Sequence, residues 1–444
     1  MRFSLRPRHL IWAIIGVEAL ILATWGARHS PFIEAHYGIG ATDGYNVLGR
    51  MLYEGHGYRF ALDTGPTVRR EPGFPLLLAA TYTLFGRGML QVRLLNLFAA
   101  GLAAGLLARM AARLSPGPVA PLAALLLFLL HPGILIAELR IGVEIPFLLF
   151  VLCFLYALDR AIESGKLIAY VAAGLVLGLT SLVRSTALLF PLLLPVYFVF
   201  AGGRRPTLLL MGARVFAVLA AAFLVLTPWT IRNYRLVGAP IATASIMGTA
   251  AQTGQYICKR LSFSDGYQAL DTEAGAERVR LAREQGYRVI AMQDPIFYDP
   301  RDEVQFSNWL TGQVLEAYRR SPLLFARCAG ENVFNYWFAG KNWTATLLNI
   351  PVQLAYLVLA VWGGVLYTRR RDQRGAARGR AGLGLYALFC LYSMLVYVPI
   401  FAQARYSIST VPLLALSGAV GIAAWRARTS AGSALADPVE AARP

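Results

Sequence analysis

Residues 118–158 read PVAPLAALLLFLLHPGILIAELRIGVEIPFLLFVLCFLYAL. They form two apolar runs, Pro118–Ala137 and Val143–Leu158, joined by Glu138-Leu139-Arg140-Ile141-Gly142. Each run comes near the ~20 residues a helix needs to cross the hydrocarbon core of a bilayer. Charge is confined to Glu138 and Arg140 in the turn and Glu144 just after it. This pair reads as a helical hairpin in lipid, where a helix satisfies its own backbone polar groups.

The same pattern repeats outward in both directions. Upstream runs are Leu10–Gly26, which follows Arg2, Arg6 and Arg8, and Val92–Ala112. Downstream runs are Leu167–Val183, Ser185–Ala201, Gly212–Ile231, Asn349–Tyr367, Gly382–Phe401 and Ser407–Trp425. The chain of 444 residues is 57% apolar and only 15% charged, against roughly 25% charged in a soluble protein. The first run lacks a clear cleavage site and is read as a retained helix. Phe74–Phe85 is too short to cross and starts among prolines, so an interfacial or half-inserted helix is expected. The expected fold class is an all-α polytopic membrane protein with about ten transmembrane helices.

Charge orients this layout. With the N-terminus inside, the inner loops hold Arg109 and Arg113, then Arg160 and Lys166, then Arg204, Arg205 and Arg214. The next holds Arg369, Arg370, Arg371, Arg374, Arg378 and Arg380, and the tail opens with Arg426 and Arg428. Basic loops stay cytoplasmic, so both termini are expected there. The net charge of +18 is thereby explained by topology, and nucleic acid is not an expected partner.

Four regions result: an N-terminal transmembrane module, 1–231, with an outer loop at 27–73; an outer, mainly helical domain at 232–348; C-terminal spans at 349–426; and a tail at 427–444. Within the outer domain, Val304, Leu310, Val314 and Tyr318 predict one amphipathic helix over Val304–Phe325. Cys258 and Cys328 also fall there; they would pair as a disulfide in an oxidising compartment, with two free thiols as the alternative. Arg- and Ala-rich composition suggests a bacterial source, hence an inner membrane with this domain toward the periplasm.

Charge near a membrane is costly and usually has a task. The first outer loop carries Asp43-Gly44-Tyr45 and Arg69-Arg70-Glu71-Pro72. Other outer turns carry Glu138, Arg140 and Glu144, then Arg184, Arg232, and Arg405-Tyr406. Asp43 alone fits an N-cap, and each arginine alone fits an interfacial snorkel. Together they fit an anionic, membrane-borne substrate, because the planar guanidinium binds two phosphate oxygens at once.

Several pieces resemble, in order, the C-type polyprenyl-phosphate-sugar-dependent glycosyltransferases, the group of protein O-mannosyltransferases and the lipid A aminoarabinose transferase. They are Asp43 with Tyr45, Gly55-x-Gly57-Tyr58, Glu71-Pro72-Gly73-Phe74-Pro75, Arg93-x-x-Asn96, Glu144, Pro228-Trp229-x-Ile231-Arg232-Asn233-Tyr234 and Arg405-Tyr406. The resemblance implies inverting sugar transfer on the non-cytoplasmic face from a polyprenyl-phosphate donor to an acceptor lipid, glycan or protein. It makes Asp43 the general base. Arg69 or Arg70, Arg184 and Arg405 become donor-phosphate ligands, and Tyr45, Glu71, Glu144, Arg232 and Tyr406 orient substrate. The mannosyltransferases show adjacent Asp-Glu where this chain has Asp43-Gly44, so a second acid would come from Glu34, Asp63 or Glu71.

No cofactor is expected: no carboxylate cluster has ligand spacing, and arginine can neutralise a monophosphate. Trp309, Trp337 and Trp343 are candidates for stacking on sugars. The rival readings are a lipid-linked sugar flippase or transporter, which favours charge at mid-membrane, and a surface-polysaccharide polymerase or ligase.

Overall fold

The computed structural model describes Gly16 and residues 43–200, 206–260, 266–292, 294–369 and 374–436. The expected first span, except Gly16, lies outside these residues, as do Glu34 and the end of the tail. In chain order the helices are α1 (Tyr45–Tyr53), α2 (Gly73–Phe85), α3 (Met89–Leu114), α4 (Val119–Leu129), α5 (Pro132–Glu138), α6 (Glu144–Ser164), α7 (Leu167–Val183), α8 (Leu194–Phe200) and α9 (Leu208–Val237). Then come α10 (Met247–Lys259), α11 (Gly266–Glu284), a hairpin of β1 (Val289–Ala291) and β2 (Pro295–Phe297), α12 (Pro300–Arg320) and α13 (Pro322–Phe338). The chain closes with α14 (Trp343–Thr368), α15 (Arg374–Tyr397) and α16 (Val411–Ala436).

Five helical stretches among the described residues are long and apolar enough to cross a membrane, and the bent pair α4–α5 makes a sixth. Leu167–Val183, Ser185–Val199 and Gly382–Tyr397 are shorter apolar stretches. The fold is that of a multi-pass, helical membrane protein. Pro118–Ala137, read above as one span, bends by 59° between α4 and α5. There His131 caps α5 by accepting from the Gly133 amide, with Pro132 at its first turn.

Close helix packing rests on small residues, as lipid-embedded interfaces require. Gly174 and Gly178 of α7 face Val218 and Ala222 of α9, and a Cβ on Gly174 would lie 2.3 Å from the Val218 carbonyl oxygen. Gly363 of α14 and Gly421 of α16 meet in the same way, at 2.2 Å.

Contacts sort the loops into two ends. At one, Asp43 meets Arg405, Glu71 meets Ser185, and Arg232 meets the Thr67 carbonyl. At the other, Arg113 pairs with Asp159 and Glu163, and the Tyr367 hydroxyl donates to the Leu114 carbonyl.

Between α9 and α14, the described residues form α10–α13 and the small antiparallel hairpin. The single helix expected over Val304–Phe325 is two: α12 starts at Pro300 behind its Asp299 cap, and Ser321-Pro322 ends it and starts α13. Phe306, Leu310 and Val314 form the buried stripe of α12. Cys258 of α10 and Cys328 of α13 are joined by a disulfide. Helix α9 continues past Ile231 to Val237, and α14 begins at Trp343 rather than Asn349.

Candidate active site

Asp43 has φ 52°, the one positive value at a non-glycine position among the described residues. Such a backbone costs energy and persists where the surroundings fix it. The surroundings here are Arg405: its Nη1 donates to Asp43 Oδ2 at 2.7 Å and its Nη2 to Oδ1 at 3.2 Å. The N-cap of α1 is Gly44, and no side chain caps it, so the capping role considered for Asp43 does not apply. The Asp43 side chain keeps 26% exposure and that of Arg405 32%. An ionised carboxylate offers about four lone-pair sites, so the bidentate clamp leaves acceptor capacity toward the open side.

Burial by itself would raise the Asp43 pKa. The charge of Arg405, then that of Arg70, and further out Arg184, outweigh burial and hold the carboxyl below its ordinary value. It is therefore ionised at neutral pH.

Two more guanidiniums flank this pair. Arg70 lies over the Tyr45 ring, 5.5 Å from its centroid. Arg184 lies 4.5 Å from the Tyr406 centroid and 5.5 Å from that of Tyr397. Tyr397 and Tyr406 stack on each other at 4.5 Å. Among the described residues, neither Arg70 nor Arg184 has a carboxylate within ion-pair distance. Rings hold the two cations in place without neutralising them.

The loops carrying these groups are locked together. Glu71 accepts from the Ser185 amide at 3.1 Å and hydroxyl at 2.8 Å, tying the first loop to the residue after Arg184. The Tyr58 hydroxyl donates to the carbonyls of Arg70 and Glu71. Tyr45 is buried edge-on against Phe74. Glu144 folds back over Gly142, within electrostatic reach of Arg140, Arg184 and Arg405.

The structure thus brings together Asp43, Tyr45, Arg70, Glu71, Glu144, Arg184, Arg405 and Tyr406. It does not bring in Arg69. That side chain is 3% exposed, with Nη2 on Asp294 at 2.7 Å and Nη1 donating to the Pro295 carbonyl. Asp294 also pairs with Arg278 at 2.6 Å. Burial would raise the Asp294 pKa, but Arg278 and Arg69 bring it below its usual value. Arg69 is accordingly a strut between the first loop and the β hairpin, not a ligand for a donor phosphate.

Arg232 also stands apart. It stacks 4.3 Å from Trp229 and 5.3 Å from Tyr58. Asp63 is exposed and accepts from Tyr298, so it is no second acid beside Asp43; Glu71 is committed to Ser185. Trp309 packs on Phe306 and Trp337 on Tyr336, while Trp343 is 41% exposed.

Sequence reasoning passed over Tyr397 and Ser185. Ser185 follows an already selected arginine, which could have flagged it. Tyr397 gave no signal, because it looks like any aromatic at the end of an apolar run.

Comparison with known proteins agrees with the motif-based resemblance. A family model described as dolichyl-phosphate-mannose-protein mannosyltransferase matches residues 68–231. That interval contains Arg70, Glu71, Glu144 and Arg184, while Asp43 and Arg405 lie outside it. No curated protein sequence matches. Among solved structures, the archaeal oligosaccharyltransferase AglB from Archaeoglobus fulgidus, in complex with an inhibitory peptide and a dolichol-phosphate, is similar. Its TM-score is 0.54 at 14% identity, over 97% of this chain and 52% of AglB. The same oligosaccharyltransferase tethered to an acceptor peptide gives a TM-score of 0.55 at 14% identity, over 99% and 52%. ArnT from Cupriavidus metallidurans bound to undecaprenyl phosphate aligns over 94% of this chain and 78% of its own, with 15% identity and a TM-score of 0.37. The chain spans about half the length of the oligosaccharyltransferase it matches. At this identity the likeness is one of fold, shared with the oligosaccharyltransferase.

Proposed function

We propose that this protein is an inverting glycosyltransferase that moves a sugar from a polyprenyl-phosphate carrier to an acceptor hydroxyl or phosphate. The observation that carries this reading is the ionised, partly exposed carboxylate of Asp43 flanked by Arg70 and Arg184, two cations with no carboxylate partner among the described residues. One group accepts a proton and the others hold an anion.

In the reaction, the acceptor oxygen attacks the anomeric carbon as its proton passes to Asp43, within hydrogen-bond reach. The bond from that carbon to the phosphate oxygen breaks, and the lipid phosphate departs with the electron pair. Arg70 and Arg184 stand ready for the charge that develops there, which is where fixed cations lower a barrier most. Arg405 holds the base in register. Two guanidiniums match the charge of a monophosphate, so the mechanism calls for no cofactor.

Similarity to a mannosyltransferase family model and to a protein solved with dolichol-phosphate supports the donor class. Arg113 and Arg160 meet at Glu163 and Arg214 lies by Gly165, at the end opposite Asp43. By the positive-inside rule that end faces the cytoplasm and the site faces outward, toward the periplasm of a bacterial inner membrane.

The test is to incubate purified wild type and Asp43→Asn with radiolabelled polyprenyl-phosphate sugars and envelope acceptors. Wild type should transfer label, and the variant should lose about 10²–10⁴-fold. Equal transfer by both would remove Asp43 from the mechanism. Donor binding without transfer by either would favour transport.

A further inference from the structure

Tyr58, Arg59, Pro66, Arg232, Arg235 and Leu236 line an open cleft of about 400 Å³ at the Asp43 end of α9. It lies across Tyr58 from the active site: the Tyr58 hydroxyl points to the carbonyls of Arg70 and Glu71, while its ring faces Trp229 and Arg232. From this cleft we infer a second anion site, built for the phosphate of a lipid headgroup and separate from the transfer reaction.

The charges come first. None of the three arginines has a carboxylate within ion-pair distance among the described residues. Two are fixed by neutral partners instead. Arg59 Nη1 donates to the Thr64 carbonyl at 3.0 Å, and Arg232 Nη1 donates to the Thr67 carbonyl and to Asn233 Oδ1, both at 2.9 Å. The Arg232 guanidinium is further held against Trp229 and Tyr58. Their Nη2 groups donate to no described residue. Arg235 is exposed at the rim. Preorganised, uncompensated guanidiniums are the chemistry that selects a phosphate.

The position then selects a lipid. Approaching the cleft, α9 exposes Phe223 (46%), Leu224 (67%) and Ile231 (46%), with Tyr234 (57%) near the top. This is an apolar strip that lipid tails can cover, ending in the aromatic and arginine residues favoured at headgroup depth. Pro66 and Leu236 give the cleft apolar walls. A headgroup phosphate seated on Arg59, Arg232 and Arg235 would leave its chains lying down that strip.

The experiment uses the full-length protein in nanodiscs containing a photo-crosslinkable phosphatidylglycerol probe or the matching phosphatidylcholine probe, with crosslinked peptides mapped by mass spectrometry. We expect the anionic probe to label the 57–66 and 223–237 segments in preference to the zwitterionic one. That preference should fall about ten-fold in Arg59→Gln/Arg235→Gln. Arg235→Gln alone, at an exposed position, should give a partial loss with unchanged thermal stability, which covers the case of a poorly folded double variant. Equal labelling by the two probes, or anionic labelling of the two segments unchanged in Arg235→Gln, would overturn the assignment. Displacement of the probe by millimolar inorganic phosphate would also overturn it, by showing a site for free phosphate.

Discussion

Both carboxylate oxygens of Asp43 are held by the single guanidinium of Arg405, 362 residues further along the chain. The pair fastens the first loop to the turn before α16 and fixes a backbone conformation that Asp43 would otherwise avoid. The acid is therefore placed by one contact, while the neighbouring cations are placed by others.

Replacing Arg405 by Lys keeps the charge and loses the fork. A lysine cannot reproduce two parallel hydrogen bonds to one carboxylate. Transfer should fall about 10–100-fold, the scale on which a small misplacement of a reacting group lowers rate. Donor binding should change less than transfer, which separates positioning of Asp43 from binding of the phosphate. Transfer rates and donor titrations on the same preparation check this.

Arg70→Gln and Arg184→Gln each remove one of the cations proposed to hold the donor phosphate. Each loss should lower transfer by about 10²–10³-fold, as for removal of one preorganised donor from a developing anion. Arg69→Gln should instead act on stability: it leaves Asp294 with Arg278 alone, next to a buried neutral side chain. Thermal unfolding should shift for Arg69→Gln, with transfer per folded molecule little altered.

The pH profile follows from the depressed Asp43 pKa. A carboxyl whose folded pKa lies below its unfolded value contributes stability that is fully present above the unfolded pKa of about 3.9 and is lost as pH falls through the folded one. Neither transfer nor thermal stability should show an acid limb from Asp43 between about pH 5 and 8. In Arg405→Gln the strongest lowering influence is gone, so the acid limb should move upward. Rate profiles of the two proteins test the direction.

Reduction of the Cys258–Cys328 disulfide should destabilise the α10–α13 unit by about 2–4 kcal/mol. Helix α13 packs on the 404–410 turn through the Ala339 carbonyl, which accepts from the Ala404 amide, so loosening α13 reaches Arg405. Cys258→Ser/Cys328→Ser should show a lower unfolding temperature than wild type without reductant. The same value for both would show that the crosslink contributes nothing to stability.

Long apolar runs and the charges between them were legible because crossing lipid is a demand on local composition. That is why the multi-pass helical class, the hairpin around Glu138–Glu144 and the polar segment after α9 could be read directly. The breaks were harder. Leu130-His131 interrupts a run that stays apolar on both sides, and Ser321-Pro322 interrupts a stripe whose spacing continues across it. In both cases the proline that starts the next helix was present, but it was outweighed by the continuous apolar run in the first and by periodicity in the second.

For the site, the sequence was enough to single out residue types in the turns between apolar runs: one early acid and a set of arginines. It could not assign them, because assignment depends on partners far away in the chain. Arg69 and Arg70 are adjacent and chemically identical, yet one pairs with Asp294 on the β hairpin and the other rests on Tyr45. Arg232 and Arg405 likewise part, one to a cleft beside α9 and the other to Asp43. A guanidinium's role is set by the carboxylate or ring that packing brings within a few ångströms, since Coulomb and hydrogen-bond energies fall steeply with distance, and that geometry exists only once the helices have packed.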